Sequence, residues 1–122
     1  RRHPGMEHWL PLFHERMDAL FEETDDSGRP VAFGKVAGIV ITGNEDGAHH
    51  VHAQLCQGLV DVGFTIPGGS PPYWVGEAMG STDFKDLEAT PDKVRETIRT
   101  IASNAAHLAR LLAERPYPPI ER

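Results

Sequence analysis

The chain has 122 residues, of which 39% are hydrophobic and 25% charged, a composition that suits one small globular domain. Its 18 acidic residues outnumber its 12 basic ones, for a net charge of −6. This balance argues against a nucleic-acid-binding role and against attraction to an anionic membrane surface. No apolar run approaches the roughly 18 residues that a membrane-spanning helix needs.

The chain contains one cysteine, Cys56, which excludes an internal disulfide and a multi-cysteine zinc ribbon. A lone cysteine fits a reducing cytosol, so we predict a cytoplasmic protein. The first residues, "RRHPGMEHW", contain neither an initiator Met nor the apolar core of a secretory signal. We therefore expect the chain to begin inside a longer reading frame or to be a processed or cloned piece.

A first helix is predicted over residues 7–23, because apolar residues recur there at steps of three and four. They are Trp9, Leu10, Phe13, Met17, Leu20 and Phe21. The next segment, "KVAGIVIT" (residues 35–42), is apolar at consecutive positions, which is typical of a parallel strand covered on both faces. We expect it to be a central strand.

A second helix is predicted over residues 47–62, and Gly63 occupies the position of a helix C-terminal glycine. Its apolar stripe consists of Val51, Leu55, Leu59 and Val62. "FTIP" (residues 64–67) is predicted to be a second strand, ended by Pro67. It follows the first strand through a helix, so we expect it to pair in parallel with residues 36–42.

Residues 68–89 are rich in glycine and are predicted to form a long excursion with little regular structure. A last helix is predicted to begin with Thr90 as N-cap and Pro91 at the first helical position, and to stop before Pro116. Its stripe consists of Val94, Ile98, Ile101, Ala105, Leu108 and Leu112. The alternation of helices and strands predicts an α/β fold with parallel strands.

The segment "TGNEDGAHH" joins the first strand to the second helix, a position where open α/β sheets bind ligands. Gly43 and Gly47 permit turn conformations and close approach of a ligand. Because Glu45 and Asp46 are acidic and no basic residue is near, a planar, polar, uncharged group suits the loop better than a phosphate. An ordinary turn would use the same residues, so the pattern alone leaves both interpretations open.

Several longer segments carry a resemblance to a known family. "HERMDAL", "KVAGIVITGNEDGAHHV", "DVGFTIP", "YWVGEAMGSTD" and "NAAHLARLL" are similar to the carboxyl-terminal half of the flavodoxin-like NAD(P)H-dependent FMN reductases, over about residues 14–115. The resemblance implies that one loop lies near the flavin ring, formed by Thr42, Gly43, Asn44, Glu45, Asp46 and Gly47. It also implies that Tyr73, Trp74, Gly76 and Glu77 belong to a loop bordering the pocket. Ala48 stands where relatives often carry a second glycine.

The resemblance implies a partial flavodoxin-like doubly wound sheet, comprising the last two strands and last three helices. By this resemblance the first three strands and the phosphate-binding loop of the family are absent from the sequence, and residues 1–13 are expected to be an irregular or divergent segment relative to the family. The implied function is an FMN-dependent NAD(P)H oxidoreductase in which the flavin carries the redox chemistry and no side chain acts as acid or base. The alternative is a non-catalytic fragment that binds flavin weakly or not at all and associates with another chain.

The predicted partners are flavin and nicotinamide, together with a second copy of the chain or a missing amino-terminal half. Association is expected because a strand that is apolar on both faces needs a neighbour on each side, and the sequence supplies only one. Ile39, Val40 and Ile41 would lie at the uncovered margin.

Three further patterns have competing explanations. Asp46, His49 and His52 share helical spacing that can hold zinc, but no fourth ligand is evident, and solvent-exposed or loop-lining histidines are favoured. Cys56 follows His52 by one turn, yet nothing supplies the third group of a nucleophile site, so a small packed residue is favoured. Tyr73 and Trp74 could either stack on a ring cofactor or pack against the protein.

Overall fold

The structure, a computed structural model, describes residues 6–43, 46–77 and 79–121, with side chains from Leu12 onward. Its helices are α1 (Met6–Phe21), α2 (Ala48–Val62) and α3 (Asp92–Glu114), with a short 3-10 helix at Phe84–Asp86. Strands β1 (Ile41–Thr42) and β2 (Tyr73–Trp74) pair in parallel. The predicted α/β architecture with parallel strands is confirmed. The side chains of Trp9 and Leu10 lie outside this description, as do Asn44 and Glu45.

The prediction of a continuous strand at residues 35–42 is wrong for most of that segment, since only Ile41 and Thr42 form regular strand. The segment pairs at two separate points. Near its start, Val36 forms an isolated parallel bridge with Thr65, and the Ala37 N–H donates to the Thr65 carbonyl at 3.1 Å. This bridge confirms the predicted parallel direction of pairing with residues 64–67, but only at Thr65, and the predicted strand at residues 64–67 is not formed beyond this bridge. At its end, Ile41 and Thr42 pair with β2 instead.

The second pairing point corrects the prediction that residues 68–89 lack regular structure up to the last helix. Between Thr65 and β2 the chain contains Pro67, Pro71 and Pro72, none of which has an N–H to donate to a ladder. The pairing is interrupted there and its register changes. It resumes at Tyr73 and Trp74, the first residues after the prolines that can both donate and accept.

Helices α2 and α3 both contribute buried residues to the core. Leu59 and Val62 of α2 are buried, as are Val94 and Ile101 of α3. A β-carbon on Gly38 would lie 3.2 Å from Cγ2 of Ile101, so α3 passes close over that side of the strand. The apolar stripes predicted for these two helices are confirmed as their least exposed faces.

Helix α1 packs against α2, where the ring of His14 lies against Gly58. The predicted apolar stripe of α1 is only partly covered, since Phe13 and Phe21 remain 40% and 44% exposed. None of the helices within the described ranges combines the length and apolar character needed to cross a membrane.

The start of α3 differs by one residue from the prediction. Pro91 has extended geometry and is the N-cap, and the helix begins at Asp92. Thr90 therefore lies outside the helix, where its carbonyl accepts a hydrogen bond from the Arg95 side chain at 3.3 Å. The predicted stop before Pro116 is confirmed, since α3 ends at Glu114.

The segment after α3 returns to the loop between α1 and β1. The Tyr117 hydroxyl lies 3.0 Å from the Thr65 hydroxyl, and its ring packs edge-on against Phe33 at a centroid distance of 5.6 Å. Arg29 Nη1 donates to the Tyr117 carbonyl at 3.4 Å. These contacts tie the chain's last described residues to the loop that leads into the sheet.

We predict that Gly63→Ala destabilises the protein more than Gly28→Ala does. Both glycines have positive φ, +116° and +76°, where a β-carbon costs about 1–2 kcal/mol. At Gly63 the new methyl would also lie 2.6 Å from Cδ1 of Phe33, whereas at Gly28 nothing lies within 4 Å. Urea unfolding of both variants measures the difference, and equal free energies of unfolding would contradict the packing of Phe33 over the end of α2.

Candidate functional site

The carboxyl ends of β1 and β2 lie side by side. Thr42 is the register partner of Trp74, and the Gly43 N–H donates to the Trp74 carbonyl at 2.9 Å. From this point the chain leaves the sheet and enters α2 at Ala48. The structure thus brings Thr42, Gly43, Asp46 and Gly47 into the neighbourhood of Tyr73 and Trp74.

Space is available beside both glycines of the loop. Among the described residues, no atom other than those of its chain neighbours lies within 4 Å of a β-carbon built on Gly43 or Gly47. Gly47 has a φ of +112°, so its backbone conformation itself favours glycine. Gly43 has no such requirement, and its amide is already engaged with Trp74.

The amino terminus of α2 presents backbone donors to this space. The Gly47 N–H donates to the Asp46 carboxylate at 2.8 Å, and no side chain among the described residues caps the helix. The first intrahelical bond runs from the Val51 N–H to the Gly47 carbonyl at 3.0 Å. Within the described chain, the amides of Ala48, His49 and His50 therefore have no acceptor, as expected for a first helical turn.

Tyr73 and Trp74 form β2 itself, which corrects their assignment to a loop. As neighbours in a strand they point to opposite faces of the sheet. The Tyr73 ring lies 5.0 Å from that of His49, at an interplanar angle of 71°, and Tyr73 is 40% exposed. Part of this ring therefore remains accessible beside the start of α2.

Trp74 packs against protein on the other face. Its ring lies 5.7 Å from Phe84, at 60°, and covers Gly76, where a β-carbon would lie 2.8 Å from Cη2 of the indole. Of the two explanations for Trp74, packing therefore has direct support in the structure. Glu77, at the far end of this turn, is exposed.

Phe84 was not singled out from the sequence, although it holds Trp74. It begins the 3-10 helix, in which the Asp86 carboxylate accepts the Asp83 N–H at 3.1 Å. An acidic residue three positions after an Asp is a known helix-start pattern, so "DFKD" contained a usable signal.

Cys56 and His52 lie together on α2 without forming an activated pair. The Cys56 Sγ is 3.6 Å from Nδ1 and 3.7 Å from Nε2 of His52, so the thiol is not directed at one ring nitrogen. Burial raises the pKa of the Cys56 thiol. Burial also lowers the pKa of His52, and the charge of neighbouring His49 lowers it further. Both shifts oppose the thiolate–imidazolium pair that a nucleophile would need.

No three His, Cys, Asp or Glu side chains come together around a possible metal position in the described ranges. His49 faces Tyr73, and His52 faces Cys56.

The chain is similar to a flavin-processing enzyme. It is 34% identical over 106 residues to the 8-demethyl-8-aminoriboflavin-5'-phosphate synthase of Streptomyces davaonensis, covering 84% of this chain and 40% of the synthase. The crystal structure of RosB with the bound intermediate 8-demethyl-8-formylriboflavin-5'-phosphate matches with a TM-score of 0.73 and 32% identity, over 88% of this chain and 43% of RosB. The chain thus spans less than half the length of these relatives.

A second curated protein also matches. It is the divalent metal cation transporter MntH of Mycobacterium bovis, 29% identical over 101 residues, which are 80% of this chain and 15% of the transporter. Because the match covers only 15% of the transporter, the transporter's name says nothing about the function of this chain. No protein-family model matches.

We predict that Cys56 reacts slowly with a thiol reagent. Because burial raises its pKa, the thiolate fraction at pH 8 is below that of an exposed cysteine. The rate with a chromogenic disulfide should fall below that of a cysteine peptide and should not decrease in His52→Gln. A rate above the peptide's that is lost in His52→Gln would restore the nucleophile interpretation.

We also predict that His52 makes stability depend on pH. Its pKa is lowered in the folded protein, so the unfolded chain binds a proton more readily. The free energy of unfolding should therefore fall as pH decreases from above the ordinary value of 6.5 through the lower folded pKa. Urea unfolding between pH 7.5 and pH 5 should show a flatter profile for His52→Gln, with His107→Gln on the exposed side of α3 as control. Identical profiles for His52→Gln and wild type would contradict this role.

Proposed function

We propose that this chain contributes part of a binding site for a riboflavin 5'-phosphate, with residues 42–47 beside the flavin ring. The observation that carries the proposal is the combination of open space beside Gly43 and Gly47 with acceptor-free amides at the start of α2. It is supported by the similarity to a synthase and a solved enzyme whose names specify modified riboflavin 5'-phosphates.

The backbone N–H donors at the start of α2 suit the flavin ring better than the flavin phosphate. Backbone N–H groups match the carbonyl oxygens of the flavin's pyrimidine portion, which are neutral acceptors. The loop contains the exposed carboxylate of Asp46 and no Lys or Arg, so it would repel a phosphate group. We therefore expect the phosphate to be held outside this loop.

In this proposal the chain's own residues bind the flavin ring and orient it. The Gly43 to Trp74 hydrogen bond fixes where the loop leaves the sheet, and the Asp46 carboxylate holds Gly47 in its turn. Tyr73 offers an aromatic surface near the start of α2. A bound flavin would supply the redox chemistry, with NAD(P)H as hydride donor, and we place this FMN-dependent oxidoreductase activity in the cytoplasm.

A second candidate treats the flavin as substrate instead of cofactor. The matched synthase and the intermediate bound to RosB both have names that specify a change at the 8-position of the flavin. A chain similar to them could serve a site where the ring itself is modified. Mass spectrometry of the flavin after aerobic incubation with an amine donor separates the two candidates. Conversion of the 8-methyl group to a formyl group needs an oxidant, which O₂ supplies, and conversion to an amino group also needs a nitrogen source, whereas a cofactor returns unchanged.

We predict that Gly43→Ala weakens flavin binding about tenfold or more while leaving the fold unchanged. The described residues leave room for the methyl group, so we expect it to overlap a bound ring, at a cost of about 1–3 kcal/mol. Gly68→Ala is the matched control, because a β-carbon there also meets nothing within 4 Å. Titration of FMN followed by its fluorescence measures both dissociation constants.

The same titration with riboflavin tests where the phosphate lies. We expect FMN and riboflavin to bind with similar affinity, because charge-assisted phosphate contacts of about 1.5–3 kcal/mol each are not provided by this loop. Much tighter binding of FMN would contradict that expectation. Flavin binding that is unaffected by Gly43→Ala would refute the assignment of the ring to residues 42–47.

A further inference from the structure

An open cavity of about 380 Å³ lies between the starts of α2 and α3. His49 lines it from α2, Tyr73 lines it from β2, and Lys93, Val94 and Thr97 line it from α3. All of its described lining residues come after β1 in sequence, so α1 and β1 do not form its walls. Its volume falls in the lower part of the range of small-molecule sites, about 300–1,000 Å³. We call it the interhelical cavity.

The charge that lines the interhelical cavity is positive, although the whole chain has a net charge of −6. Lys93 is the one permanently charged residue of the lining, and no Asp or Glu belongs to it among the described residues. The nearby Asp92 carboxylate is already paired with Arg95 at 2.5 Å. Lys93 Nζ pairs with Glu96 at 3.2 Å, but these side chains are 81% and 69% exposed. Such an exposed ion pair contributes about 0.2–1 kcal/mol, so a bound anion can displace the Glu96 carboxylate at little cost.

Neutral donors accompany the Lys93 ammonium group. The His49 ring and the Ser70 hydroxyl both line the cavity and make no hydrogen bond to other described residues. The Thr97 hydroxyl donates to the carbonyls of Lys93 and Val94 at 3.0 and 2.9 Å, so it has no proton left for a ligand. The free donors and the ammonium group therefore suit an anionic acceptor, a carboxylate or a phosphate. The first turns of α2 and α3 add to this preference, because the amino-terminal end of a helix is electropositive.

The interhelical cavity adjoins the candidate flavin site through two rings. The Tyr73 and His49 rings are in edge contact at a centroid distance of 5.0 Å, and both line the cavity. Tyr73 is the register partner of Ile41, and His49 lies in the first turn of the helix that the loop at residues 42–47 enters. A small molecule held in the cavity can therefore extend toward a flavin ring beside that loop.

We propose that the interhelical cavity binds the anionic group of the reactant that meets the flavin ring. Both candidate functions need such a second reactant, which is a hydride donor in one and an amine donor in the other. A nicotinamide dinucleotide carries phosphates and an amino acid carries a carboxylate, so the same donors serve either reactant. The identity of the ligand as this reactant rests on the proposed function, whereas the anion site itself does not.

Titration of the whole, flavin-free chain with inorganic phosphate and, separately, with acetate tests the anion site. With chloride keeping the ionic strength constant, the backbone amide resonances of His49, Tyr73 and Lys93 should shift in a saturable way. Lys93→Gln should weaken binding about three- to fivefold, as expected for a largely exposed charge. Lys85→Gln is the matched control, because Lys85 is 77% exposed and also pairs with a nearby carboxylate, that of Asp83, at 3.7 Å.

The titration also distinguishes the two classes of reactant. Tighter binding of phosphate than of acetate supports a nicotinamide dinucleotide, and the reverse order supports an amino acid. A lack of saturable shifts with both anions overturns the proposal, and so does equal weakening by Lys93→Gln and Lys85→Gln. Because this titration contains no flavin, its outcome is independent of whether the flavin proposal holds.

Fluorescence titration of FMN and riboflavin into Lys93→Gln distinguishes a second reactant from the flavin's own phosphate. We expect both dissociation constants to stay at their wild-type values, because the ring is proposed to lie beside residues 42–47. Weaker binding of FMN alone would place the flavin phosphate in the interhelical cavity and overturn the assignment to a second reactant. Failure of the wild type to bind either flavin would refute the proposed function, while the anion titration would still decide the anion site.

Discussion

The hydrogen bond from the Gly43 amide to the Trp74 carbonyl holds the end of β1 beside the end of β2, and the candidate site depends on it. This bond belongs to the register in which Thr42 pairs with Trp74. In that register Tyr73 points to the side where His49 lies, and Trp74 points to the side where Phe84 lies. A shift of one residue would exchange these faces, because side chains alternate along a strand. The loop that follows would then start from a different position relative to α2.

Local patterns were sufficient to predict the helices. α2 is bounded by glycines whose φ values of +112° and +116° only glycine adopts easily, so both of its ends are encoded within a few residues. The stripes of α2 and α3 follow from a spacing of three and four. The start of α3 was displaced by one residue because Thr90 and Pro91 are both acceptable at a helix start, and the choice between them depends on the geometry of the preceding turn.

The sheet could be predicted only in part, because its register depends on contacts between distant segments. β2 is two residues long and follows Pro72, so it has no periodicity to detect. The contact of Tyr117 with Thr65 and Phe33 is equally invisible to local patterns, since it joins residues far apart in sequence. For the site, "TGNEDGAHH" correctly indicated the carboxyl end of a strand. The packing of Trp74 against Phe84 could not be predicted from the sequence, because it depends on how the folded chain brings the two rings together.

β1 is the element from which the candidate site starts. Its carboxyl end begins the loop proposed to lie beside a flavin, and its last residue, Thr42, is the register partner of Trp74. A ligand that binds only the folded chain stabilises it by mass action. A ring bound beside the loop would therefore stabilise the short pairing of β1 with β2 as well, because that pairing sets where the loop leaves the sheet.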